Sequence, residues 1–263
     1  MNKIDLKFRE LKEKNEKALI SFIALGEPSF SETIAMAQEL ERAGADIIEL
    51  GIPYSDPLAD GPVIEAAYHN VLCRGTKLND MLECVGAITS KIEIPVVIMV
   101  YYNVVFCRGV ESFIESLSEF GVSGLIIPDV PLEEREELLR CCVQRGISLI
   151  PLVAPTSRER IKKITDNSNG FIYCVSHAGT TGEQKTLNNN IKEYLEEVKI
   201  STETPICVGF GISSRETVNL VKEYCNGIII GSAIVRRISS DKSFEDKKKD
   251  VFEFVKGIKE ELK

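Results

Sequence analysis

Apolar positions along the chain fall into two alternating patterns. Short, nearly unbroken runs rich in Ile and Val, such as Ile47-Ile48-Glu49-Leu50-Gly51-Ile52, 95–101 and 227–230, are separated by longer segments in which apolar residues recur every three or four positions. Runs without polar alternation mark strands covered on both faces, and the longer period marks helices that bury one stripe. A helix over 2–17, with Ile4, Leu6, Phe8 and Leu11 amid dense charge, is expected to lie over one end of the body. Strands are predicted at 18–25, 47–52, 95–101, 124–127, 147–153, 171–175, 205–208 and 227–230. Between and after them come helices at 31–43 (with Ser31 as N-cap), 62–72, 78–91, 110–120, from Pro131, at 157–166, at 213–224, from Ser232, and at 244–262. Repeated βα units imply a parallel sheet, so a closed (β/α)8 TIM barrel with an extra N-terminal helix is the economical fold, and an open doubly wound sheet the alternative. No long linker or change of composition divides 1–263, which is read as one domain.

Composition narrows the partners. With 263 residues, 44% hydrophobic and a formal net charge of −8, the chain is large enough for a full core, and its overall field repels nucleic acid and anionic membrane alike. The eight cysteines form no C-x-x-C pair, and the N-terminus lacks an apolar signal region, which together point to a reducing cytoplasm. Cys174 and Cys207 fall in strands and read as small core residues. The longest apolar stretch, 94–106, is interrupted by Pro95 and Asn103 and is shorter than the roughly 20 residues that span a bilayer. His69 and His177 are too far apart to suggest a metal site by spacing.

One strand breaks the apolar pattern. Glu49 sits among Ile47, Ile48, Leu50 and Ile52, where an ionised carboxylate is costly unless paired or used. Gly51, Pro53, Pro57, Gly61 and Pro62 then fold the chain back and bring Asp60 toward Glu49. Two acids at one pocket suggest proton transfer; alternatively Glu49 pairs with an Arg or Lys, and Asp56 and Asp60 only form turns. In a barrel the C-terminal strand ends face the active site, which places Glu49, Tyr101, Asp129 and Tyr173 near one mouth. The turns Gly209-Phe210-Gly211 and Gly231-Ser232-Ala233 each open a helix after the seventh and eighth strands, the corner where barrels bind phosphate, though tight turns alone explain the glycines too. Gly179-Thr180-Thr181-Gly182, in a long loop at 176–190, reads either as a lid or as an ordinary surface loop. Phe22, Tyr101, Tyr173 and Phe210 suit either core packing or a flat apolar ligand.

Several of these stretches together resemble one family. Phe22 with Gly26 and Pro28-Ser29, the run Ala43 to Pro53, Ser55-Asp56-Pro57, Ala59-Asp60-Gly61-Pro62, Gly124 to Asp129, Val208 to Ile212 and Gly231 to Val235 are similar to the tryptophan synthase α-subunit family over nearly the whole chain. The resemblance implies a lyase that splits indole-3-glycerol phosphate into indole and glyceraldehyde 3-phosphate without a cofactor of its own, working with a pyridoxal-phosphate β subunit in an α2β2 complex. It implies catalysis by Glu49 and Asp60, an indole slot near Phe22, Tyr101 and Tyr173, and phosphate held on the backbone of Gly182, Gly209, Phe210, Gly211, Gly231 and Ser232. Thr181 matches a lid threonine facing Asp60, and Pro53, Asp56 and Pro57 lie on a loop expected to couple catalysis to the partner. His177, Ala178, Thr180 and Glu27 depart from the family pattern, and no proline follows Asn103. A free-standing indole-releasing lyase and a weakly catalytic barrel that mainly activates the β subunit are the competing readings.

Overall fold

The computed structural model describes residues 2–175, 190–209 and 211–263. Its strands are β1 (Ala18–Ala24), β2 (Ile47–Gly51), β3 (Val96–Met99), β4 (Gly124–Ile126), β5 (Ser148–Leu149), β6 (Leu152–Val153), β7 (Ile172–Val175), β8 (Ile206–Gly209) and β9 (Gly227–Ile230). They hydrogen-bond in the order β5-β4-β3-β2-β1-β9-β8-β7-β6, and the pairs are parallel. β5 and β6 are two pieces of the predicted fifth strand. Ile150 N donates to Leu125 O at 2.9 Å on one side, and Pro151 O accepts from Tyr173 N at 2.9 Å on the other. The two ends of the row therefore belong to one run of chain, and the sheet curls shut through it as a TIM barrel. Pro151, which has no N–H to donate, stands where the ladder is interrupted.

Period-two alternation along the strands divides the apolar residues into two cores. Ile20, Phe22, Ile47, Val97, Met99, Ile126, Tyr173 and Ile229 fill the barrel, while Leu19, Ile23, Ile48, Leu50, Ile98 and Val208 pack outward against the helices. The N-terminal helix, Lys3–Glu13, plugs the barrel floor with Ile4, Phe8 and Leu11. Phe8 lies 6.0 Å from the ring of Phe171, and Gly124 makes room for the plug, since a Cβ there would fall 2.9 Å from Ile4 Cδ1. With the floor sealed, the open end is the mouth at the strand C-termini.

Local differences from the predicted elements have local causes. Ser29, not Ser31, caps the helix Phe30–Arg42, its hydroxyl accepting from Glu32 N. Pro131 opens a 3-10 turn, Leu132–Glu134, before the helix Glu136–Gln144, and another 3-10 segment, Pro155–Arg160, precedes the short helix Ile161–Thr165. An unpredicted helix, Tyr102–Arg108, follows β3; its first N–H is taken by Asp129 Oδ1 at 2.9 Å, a contact 27 residues distant in sequence.

The C-terminal helix, Phe244–Glu260, is tied to the barrel by a buried charge. Lys259 Nζ lies 2.9 Å from Asp46 Oδ2 and 3.2 Å from Glu16 Oε2, and the same Asp46 oxygen accepts from Leu19 N at 2.7 Å. Burial raises the Asp46 carboxyl above its ordinary range despite the Lys259 charge beside it, so the pair costs desolvation and cannot lose a member cheaply. Lys259→Ala is expected to lower unfolding stability in urea by about 3 kcal/mol; an unchanged midpoint would mean that the pair does not hold the helix.

Candidate active site

Glu49 is delivered to the mouth by the register of the barrel. It is flanked by Phe22 on β1 and Val97 on β3, and it points inward because Ile48 and Leu50 point out. It is only 1% exposed, and neither carboxyl oxygen has a hydrogen-bond partner among the described residues, so the ion-pair alternative for this acid finds no support there. Burial, and then the nearby Asp60 charge, push its pKa up to about 8. Glu49 therefore carries its proton at neutral pH.

Asp60 arrives by a different route. Leu58 N donates to Asp56 O and Asp60 N to Pro57 O, both at 2.9 Å, which folds the loop after β2 back over the barrel; Gly61 then caps the helix Pro62–Cys73. Asp60 is also 1% exposed, but it has a donor: the Tyr101 hydroxyl lies 2.7 Å from Oδ2 and itself accepts from Ala59 N at 3.0 Å. Tyr101 is braced by the stacked ring of Tyr54, with centroids 5.1 Å apart. Burial raises the Asp60 pKa to about 6 while the Tyr101 bond opposes the rise, leaving the carboxyl mostly ionised at neutral pH. Two buried acids thus face one cavity, Glu49 raised further by burial and the neighbouring Asp60 charge, and Asp60 raised less because the Tyr101 donor opposes its burial.

That cavity, of about 260 Å³, is lined by Phe22, Glu49, Asp60, Met99 and Tyr173 and by the turn residues Gly211, Gly231 and Ser232. Gly211 adopts φ 79°, a left-handed conformation that glycine takes readily. Two glycines act by absence. A Cβ on Gly51 would fall 2.2 Å from the Tyr68 hydroxyl oxygen and 2.6 Å from Phe22 Cζ, and one on Gly209 would fall 2.5 Å from the Tyr173 hydroxyl oxygen. Gly209 thus makes room for Tyr173 and does not itself line the cavity, and Tyr101 stands behind Asp60, also off the cavity wall.

On the loop, Pro53 is buried, Pro57 half-buried and Asp56 exposed, with the Ser55 hydroxyl donating to the Asp56 carboxylate. His69 is exposed, its Nε2 3.2 Å from Cys73 Sγ. Thr181, Gly182 and Phe210, together with His177, Ala178 and Thr180, lie outside the described residues. Among the described residues no group of three or more His, Cys, Asp or Glu is placed to hold a metal. Two residues at the site were not singled out from the sequence. Arg236 lines the cavity one helical turn beyond Ser232, a spacing that marks it as a neighbour of the glycine corner. Tyr68 belongs to the buried stripe Ile64, Ala67, Tyr68 and Val71, whose period reads as core.

The raised pKa of Glu49 has a consequence for stability. The folded state holds the proton more tightly than the unfolded chain does, so the charge costs nothing below about pH 4.5 and its full cost appears above about pH 8. Glu49→Gln, which cannot ionise, is expected to unfold at a higher urea concentration than wild type above that upper pH, with the gap closing toward the lower one. A gap that does not change with pH would contradict the shift.

Comparison with known proteins identifies the family. A family model described as "Tryptophan synthase alpha chain" matches residues 8–263. The tryptophan synthase alpha chain of Clostridium beijerinckii is 51% identical over 264 residues, with 100% of each chain covered, and that of Caldanaerobacter subterraneus subsp. tengcongensis is 49% identical, again over 100% of both. Among solved structures, tryptophan synthase of Mycobacterium tuberculosis superposes with a TM-score of 0.89 at 31% identity, over 99% of this chain and 98% of that one. The subunit alpha of Legionella pneumophila str. Paris gives 0.90 at 30% identity, over 100% and 98%. With a family model spanning residues 8–263 and relatives about half identical over the full length, the chain belongs to the tryptophan synthase alpha chain family.

Proposed function

We propose that Glu49 and Asp60 are the pair with which this chain performs the reaction of its family, the retro-aldol cleavage of indole-3-glycerol phosphate to indole and glyceraldehyde 3-phosphate in tryptophan biosynthesis. The observation that carries the assignment is the protonated, partnerless Glu49 facing a cavity beside an ionised Asp60. A carbon–carbon bond to an aromatic ring breaks only once the ring carbon is protonated. Glu49 gives its proton to indole C3, and the positive charge that develops on the ring is balanced by Asp60, which accepts from the indole N–H. Glu49, now a carboxylate, takes the proton of the glycerol hydroxyl as the C–O bond becomes a carbonyl. The electrons of the breaking C–C bond restore the indole ring, and Glu49 ends as it began.

In this reading the indole lies against Phe22 and Tyr173, with Tyr101 acting through Asp60. The phosphate sits at the backbone of Gly211, Gly231 and Ser232 with Arg236 beside it, a corner to which Gly182, Gly209 and Phe210 are assigned by resemblance. No cofactor belongs to the alpha chain; pyridoxal phosphate belongs to the beta subunit, its partner. The partner is taken to dock at the mouth, where Leu58 is 84% and Phe106 66% exposed. The loop holding Pro53, Asp56 and Pro57 then links the docking face to Asp60 through the Pro57 carbonyl. A cytoplasmic site of action and a single domain over 1–263 complete the reading; no helix among the described residues is long and apolar enough to cross a membrane.

One assay tests these assignments: indole release by the chain with and without a beta subunit. Glu49→Gln is expected to lose at least about 100-fold in kcat, the scale of a missing general acid, and Asp60→Asn to be severely impaired. Asp56→Ala is expected to keep its basal rate while losing most of the rise that the beta subunit causes. Near-wild-type release by Glu49→Gln would sink the acid–base assignment, and full activation of Asp56→Ala would remove the loop as the coupling element.

A further inference from the structure

Three polar atoms near the mouth of the barrel have no hydrogen-bond partner among the described residues: the two carboxyl oxygens of Glu49 and the hydroxyl of Tyr68. Tyr68 reaches inward from the helix Pro62–Cys73, is 1% exposed, and packs in the cluster that fills the barrel. Its hydroxyl lies over the backbone of Gly51, where the lack of a side chain gives it space beside the Phe22 ring. Gly51 and Glu49 are two residues apart on the same inward face, about 6.6 Å along the strand. The phenol lies within the electrostatic reach of both Asp60 and Glu49, and burial first, then those acids, hold its pKa well above the ordinary value of 10. It is a hydrogen-bond donor that does not lose its proton.

A buried donor with no acceptor is destabilising, a cost that Phe at this position would avoid. Asp60 does not relieve it: although its charge is the stronger of the two on Tyr68, its Oδ2 is taken by Tyr101, and the Tyr68 hydroxyl remains unbonded beside it. Glu49 is the acid whose charge changes during the reaction, and the only one of the pair left without a donor among the described residues. Tyr101 on Asp60 shows what a phenol does for a buried carboxylate in this site.

We propose that Tyr68 is a positioning residue for proton transfer, its hydroxyl donating a hydrogen bond to the Glu49 carboxylate in the interval when Glu49 has given up its proton. In the resting site Glu49 is neutral and the bond is not made; rotation of the carboxylate toward Gly51 makes it. Tyr68 keeps its own proton throughout. The proton leaving Glu49 goes to indole C3, and its replacement comes from the glycerol hydroxyl, so the bond lowers the cost of the intermediate charge without entering the proton count. The inference rests on the assignment of Glu49 as the acid.

The test is Tyr68→Phe, assayed for indole release in the presence of the beta subunit across pH, beside Glu49→Gln. The expected result is a roughly 10- to 100-fold fall in kcat, the range for losing a hydrogen bond to a charged group, with KM changed by less than about twofold. The apparent pKa of Glu49 in the kcat profile is expected to move upward, and the thermal unfolding temperature not to fall, because the variant loses only an unsatisfied donor. An unchanged kcat and pH profile would overturn the proposal. So would a raised KM at constant kcat, which would make the hydroxyl a uniform substrate contact, or a lower unfolding temperature with an unmoved profile, which would make it structural. If Tyr68→Phe behaves as wild type while Glu49→Gln is inactive, the inference fails alone; if Glu49→Gln releases indole normally, the acid assignment fails with it.

Discussion

A carboxyl group buried in apolar surroundings with no donor to stabilise its charge stays protonated far above the pH at which it ionises in water. Glu49 is held in that condition by the barrel itself: a central strand, apolar neighbours on both sides and a sealed floor leave it only the cavity to face. The protein tolerates an arrangement that a structural acid would not, as the proposed use of Glu49 as a proton donor requires. Lys259 and Asp46 are the contrast within the same molecule, a buried charge supplied with a counter-charge and a backbone donor because its task is to hold a helix in place.

The rest of the mouth is arranged around keeping the two acids different. Burial raises both, Asp60 to about 6 against the pull of its phenol donor and Glu49, which has no donor among the described residues, to about 8. Gly51 and Gly209 leave room for aromatic side chains to close over the cavity, and the loop from Pro53 to Pro62 carries Asp60 in from the surface without being part of a strand. That loop is held by turn hydrogen bonds and by Tyr101, apart from the strand ladder that fixes Glu49 on β2. In the proposed coupling, a partner docking on that loop would act on one acid and spare the other.

Much of this was legible along the chain. Unbroken Ile and Val runs alternating with helical stripes lead to a parallel barrel, and Glu49 stands out as the one acid inside an apolar run. The split of the fifth strand at Pro151 was not visible, because the run 147–153 reads as continuous until the two partner strands are seen to bond to different halves of it. Ser29 and Ser31 are both reasonable caps by residue type, and the choice between them is made by the backbone of Ser29, which is extended. Tyr101 was expected against the indole but grips Asp60, a contact 41 residues away in sequence that no local pattern encodes. Tyr68 is hidden for a related reason: on a buried helical stripe a tyrosine reads as packing, and only the geometry shows that its hydroxyl has no partner among the described residues.

The proposed chemistry depends on the protonation state of one side chain, and that can be read directly. With glutamate carrying ¹³C at its carboxyl carbon, the Glu49 signal is assigned by its loss in Glu49→Gln and followed by NMR as the pH is raised. A midpoint at about 8 is the expected result. A midpoint at the ordinary value of 4.5 would mean that Glu49 is already ionised at neutral pH and has no proton to give to the ring carbon, which rules out its role as the acid.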